Sequence, residues 1–85
     1  MRVTVTHAAG RHHGTWASAV PAVAAALREG HTATVTNSES PTRWALTLES
    51  GEVTATVLNP DLFAPDPPTP EWVERIAASA APLIN

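Results

Sequence analysis

The chain contains no cysteine, no lysine and no tyrosine, only one phenylalanine and one methionine, and no apolar run of the roughly 20 residues a membrane helix requires. Without cysteine there can be no disulfide, thiolate metal site or cysteine nucleophile, which fits a reducing, cytoplasmic location. The start, MRVTVTHAAG, alternates polar with apolar residues where a secretory leader would run apolar. Without lysine, the basic side chains are five arginines spread along the sequence at Arg2, Arg11, Arg28, Arg43 and Arg75. No linear basic patch is present to neutralise a phosphate backbone, and with a net charge of −3 no nucleic-acid partner is expected. No membrane partner is expected either.

Eighty-five residues suffice for one small domain over 1–85. Of the 44% that are hydrophobic, sixteen residues are alanine, whereas Val, Leu, Ile and Phe together number seventeen, so the core must be thin. Richness in Ala, Thr, Pro and Arg without Lys resembles the composition of proteins from high-GC, actinobacterial-like genomes.

Residues 2–7 alternate strictly, with Val3, Val5 and His7 on one side and Arg2, Thr4 and Thr6 on the other, which predicts a strand. From 7 to 18 there is no apolar period, and a long loop is expected. Val20, Val23, Ala24 and Leu27 then recur at helical spacing up to Gly30. Pro21 argues for Ser18 as the N-cap, because a proline in the first turn removes no intrahelical bond.

Strands are predicted over 31–37, 42–49 and 52–58. A two-residue turn at Ser50-Gly51 pairs Glu49 with Glu52, Leu48 with Val53, Leu46 with Ala55 and Trp44 with Val57. A four-residue loop at 38–41 pairs Asn37 with Thr42 and sets Val35 on the face of Trp44. The segment LNPDLFAPDPPTP is expected to run extended over the sheet edge with Leu62 and Phe63 turned inward. Thr69-Pro70-Glu71 starts a second helix whose stripe Trp72, Val73, Ile76 and Ala80 ends at Pro82.

The expected fold is therefore α+β, a two-layer α/β sandwich of order β-α-β-β-β-α. It has a four-stranded mixed sheet, its first two strands parallel, and both helices on one face. Threonines dominate the other face. Trp44 and Trp72 fall on core stripes, and Trp16, in the loop or just before the first helix, is expected either to cap the core or to stand exposed as a contact anchor.

Gly10-Arg11-His12-His13-Gly14-Thr15 stands just before a helix N-terminus, where free N–H groups and the dipole favour an anion. Arg11, His12 and His13 are the candidate ligand-binding residues. Gly10-Arg11-His12 resembles three positions of the Gly-X-His-X-Arg-Pro loop of the histidine-containing phosphocarriers of bacterial sugar phosphotransferase systems. The resemblance reaches to about residue 37 and implies that His12 accepts a phosphoryl group. Gly14 and Thr15 stand where that family has Arg and Pro.

His7, His12 and His13 have no acid beside them between residues 1 and 28 to complete a metal or catalytic set. No enzyme activity, metal or cofactor is expected. The function expected is that of a small non-catalytic accessory or regulatory domain that binds another protein. The alternative is an anion- or phosphate-binding, phosphocarrier-like protein acting through the Arg11-His12-His13 loop.

Overall fold

A computed structural model describes residues 1–58 and 67–84. Seven elements follow in order: β1 (Val3–His7), β2 (Gly10–Gly14), α1 (Trp16–Arg28), β3 (Ala33–Asn37), β4 (Ser40–Glu49), β5 (Glu52–Val57) and α2 (Glu71–Ile84). The class is α+β, as expected, but the sheet has five strands in the order β2-β1-β3-β4-β5, and every neighbouring pair is antiparallel.

The additional strand lies within the expected loop. After His7 the chain turns back at Ala8-Ala9, and β2 pairs with β1 from His7–Gly10 to Val3–Gly14. Gly10 has φ +149°, a conformation that a side chain disfavours, and so allows the return. Because β2 is an edge strand made of glycine, arginine and histidine, it has no apolar alternation, and polar edges resist pairing with other chains.

The expected mixed sheet with its first two strands parallel is not formed: β1 and β3, the strands over 2–7 and 31–37, pair antiparallel, because the added β2 reverses the chain before α1. β2 and β3 both run antiparallel to β1, which lies between them, so the two strands joined by α1 are parallel to each other without touching.

Helix α1 starts earlier than Pro21 suggests. Thr15, not Ser18, is the N-cap: its side chain accepts from the Ser18 N–H at 3.2 Å, and its carbonyl accepts from the Ala19 N–H at 3.0 Å. Pro21 therefore lies inside the helix. It is tolerated because Ala17, whose carbonyl loses its donor, and Pro21 share an exposed side where water can reach that oxygen. At the other end Gly30, at φ +82°, lets the His31 N–H return to the Ala26 carbonyl at 3.0 Å. Helix α2 likewise continues through Pro82, an exposed residue near its end, to Ile84. The Pro70 carbonyl, bonded at 3.1 Å by the Val73 and Glu74 N–H groups, begins it.

The β4–β5 register is the one the turn at Ser50-Gly51 predicts, pair for pair from Trp44–Val57 to Glu49–Glu52. Val35 does pair with Trp44, but Asn37 meets Ser40 rather than Thr42. The turn is shorter, and the register shifts between Val35 and Asn37. The segment containing Leu62 and Phe63 lies outside the described residues.

Val3, Val5, Val35, Trp44 and Leu46 from the sheet meet Val23 and Leu27 of α1 and Val73 and Ile76 of α2 in one cluster, so both helices cover the same sheet face. No described polar side chain is buried. Trp16 and Trp72 pack half-buried against this core, and the Arg75 guanidinium sits 5.1 Å above the Trp16 ring, joining the two helices.

Replacing Pro21 by Ala restores the bond to Ala17 and should stabilise the fold by about 1–3 kcal/mol in urea unfolding. A helix beginning after Ser18 would instead leave stability unchanged or slightly lower. Leu46→Ala, which removes a fully buried side chain, should cost about 2–5 kcal/mol.

Candidate functional site

Strand pairing decides which side chains share the sheet face away from the helices. The pairs Thr4–His13, Thr6–Arg11, Thr4–Thr36 and Thr6–Thr34 put β1, β2 and β3 residues side by side on that outer face. Arg43 and Ala45 of β4 alternate with the inward Trp44, and the Leu58 N–H bonds to the Arg43 carbonyl at 2.9 Å. One row across the face thus reads His13, Thr4, Thr36, Arg43, Leu58, and the next reads Arg11, Thr6, Thr34, Ala45, Thr56. With strands about 4.8 Å apart, four threonines form a floor with Arg11 and Arg43 at opposite corners.

These residues line a shallow depression of about 660 Å³ together with Leu58, which is 43% exposed. Further along, Thr47 and Thr54 share a hydroxyl hydrogen bond of 2.8 Å, and the face ends in the exposed pair Glu49–Glu52.

At the basic corner, the Arg2 Nε–H donates to His13 Nε2 at 3.1 Å, and His13 Nδ1 lies 2.6 Å from Thr4 Oγ1. An arginine Nε can only donate, so His13 Nε2 is the acceptor and Nδ1 carries the proton that Thr4 receives. Arg11, exposed on the same face, has no hydrogen-bond or ion-pair partner among the described residues.

The three residues expected to act together are therefore divided. Arg11 and His13 face outward, while His12, paired with Val5, faces the helix side. Successive residues of a strand point to opposite faces, so a strand in place of a loop separates them. His12 Nε2 meets Ser18 Oγ at 3.0 Å in a partly buried position, within a strand and not in a loop. Ser18 donates its hydroxyl to the Thr15 carbonyl at 2.9 Å, which leaves His12 as the donor to that oxygen. A histidine donating to serine is not placed to take its proton, and no described acid orients the ring, so the pair is not an activated nucleophile. Gly14 makes room for it: a Cβ there would lie 2.5 Å from Ser18 Oγ.

Among the described residues no three His, Asp or Glu side chains gather where a metal could bind. Among the described residues there are further concavities. One of about 450 Å³ lies between β5 and α2 and is lined partly by Val53, Ala55 and Ala81; another of about 300 Å³ lies beside His31 and Glu49. His31 Nδ1 is 3.7 Å from Glu29 Oε2 and makes no hydrogen bond.

Arg2, Arg43 and the four threonines are site residues that reading the linear chain does not bring together. The alternation of Arg2, Thr4 and Thr6 was the available signal, but the arginines converge only through the sheet order. No family model, curated protein or solved structure matches this chain. None of its described helices is long and apolar enough to cross a membrane.

Arg11→Ala should change unfolding free energy by less than about 0.5 kcal/mol, since it removes an exposed side chain that holds nothing in place. Gly14→Ala should displace the Ser18 hydroxyl, shift the His12 imidazole resonances and cost about 1 kcal/mol.

Proposed function

We propose that the protein is a small non-catalytic accessory or regulatory domain that binds another protein, and that it does so with the outer face of its sheet. The observation that carries this reading is the outer face itself, which no described helix or strand covers. Both helices pack on the opposite side, and three of the five arginines, with His13, surround a threonine floor beside an exposed leucine.

Such a surface suits docking for physical reasons. Arginine is enriched at protein interfaces because its guanidinium makes several directed hydrogen bonds while its stem packs against apolar groups. Threonines fixed on a sheet lose little rotamer freedom when covered. The floor supplies both hydroxyls and methyl groups, and Leu58 adds an apolar contact at its rim.

A second reading, binding of a small anion or phosphate, is favoured by Arg11 and His13 presenting donors on one face. It does not use His12, which faces the helices. Localised, saturating amide shifts at Thr4, Arg11 and His13 during phosphate titration would support it over the first reading.

The docking surface is tested by photo-crosslinking in native extract. The Thr6→Glu, Arg11→Glu double variant, which alters only exposed outer-face residues, should lose any partner that the unmodified protein and the α2 variant Glu74→Lys both capture. Retention of that partner by the folded double variant would overturn the outer face as the surface.

A further inference from the structure

The corner made by Arg2, His13 and Thr4 defines both the kind of partner and a condition on its docking. We propose that the partner presents an anionic segment to the outer face, and that its docking takes up a proton at His13 and releases Arg2 from the imidazole. The inference rests on the docking reading above and adds the partner's charge and its coupling to pH.

Charge complementarity supplies the first half. Arg2 and Arg11 lie toward the β2 edge of the face and Arg43 at the opposite corner of the threonine floor, and residues 1–28 contain no acid. The chain as a whole is acidic, at −3, so the positive groups are concentrated here against the overall balance. A carboxylate-rich segment would meet the Arg11 guanidinium fork, the Arg2 guanidinium once it leaves the imidazole, and the threonine hydroxyls beside them. Nucleic acid fits less well. Among the described residues the face has no aromatic side chain on which a base could stack, and three arginines on an acidic chain make a weak footprint for a phosphate backbone.

The second half follows from the direction of two hydrogen bonds. His13 accepts from Arg2 at Nε2 and donates from Nδ1 to Thr4. Protonating Nε2 removes the lone pair that Arg2 uses and sets two cations against each other. Arg2 must then turn away, and both groups become available to an anion. The charged groups around the imidazole are Arg2, just before β1, and Arg11 on its own strand, with Arg43 across the face and Glu39 in the turn between β3 and β4. Since β2 is an edge strand, no further strand flanks His13.

An anion placed here favours the charged imidazole, so binding and proton uptake strengthen each other. Affinity should therefore rise as pH falls and Nε2 of His13 becomes protonated. Added salt should weaken it.

Two measurements test this on the intact protein. In the free protein, nitrogen-detected NMR between about pH 8 and about pH 6 should show the Nδ1–H tautomer of His13 at the upper end. The Arg2 Nε–H resonance should shift together with the His13 ring nitrogens, and this shift should be absent in His13→Gln. An Nε2–H tautomer, or an Arg2 signal indifferent to His13, would overturn the proton switch even where a partner still docks on this face.

Calorimetry with an aspartate-rich peptide as probe, in two buffers of different ionisation enthalpy, should show proton uptake and several-fold tighter binding at the lower pH. His12→Gln should keep that pH dependence and His13→Gln should lose it. No peptide binding at either pH, or tighter binding of a single-stranded oligonucleotide than of the peptide, would overturn the anionic protein partner. Failure of the outer face as a docking surface would instead be seen in the crosslinking of the Thr6→Glu, Arg11→Glu variant.

Discussion

Scarcity of large apolar side chains governs this structure. With seventeen Val, Leu, Ile and Phe residues in 85, the chain can bury one face of its sheet and no more. Val3, Val5, Val35, Trp44 and Leu46 are spent on the face that meets the helices, and alanines let α1 and α2 approach closely. What remains for the other face is threonine, which favours strands without demanding burial, interrupted by arginine. The open face is thus a direct consequence of composition, and its residues are free of any duty to the core.

The β1–β2 hairpin converts that open face into a site. Placed beside β1, the short polar strand turns Arg11 and His13 outward next to Thr6 and Thr4, and it hands His12 to the helix side beside Ser18. Adjacent residues in sequence are thereby given different work. His12 helps seat the start of α1 over Gly14, while His13 ties Arg2 to Thr4 on the surface. On the far side of β1, β3 and β4 bring in Thr34, Thr36 and Arg43, so the depression is built from four strands that the chain order leaves well separated.

The proline placements show how weak a local rule becomes when packing opposes it. Pro21 favours a late helix start, yet Thr15 caps the helix and Trp16 packs against the core under Arg75. One lost backbone bond on a wet helix side is a small cost beside an additional turn anchored by an aromatic ring. Pro82 is carried near the end of α2 in the same way, with its exposed side turned from the core.

The alternating strands, the β4–β5 register, the stripes of both helices and the threonine character of one sheet face were legible in the sequence, because each depends on neighbours two to four residues apart or on a tight turn. Trp44, Val35 and Leu46 announced their inward positions by parity alone. The pairing of β2 with β1, the all-antiparallel order and the gathering of Arg2, Arg11 and Arg43 were decided only by the tertiary structure. A glycine- and histidine-rich edge strand carries no apolar period to reveal it, so its existence depends on the strand it joins. Side chains from positions 2, 11 and 43 come onto one face around a single depression only when non-local hydrogen bonds set which strands lie side by side, and no local spacing encodes that choice.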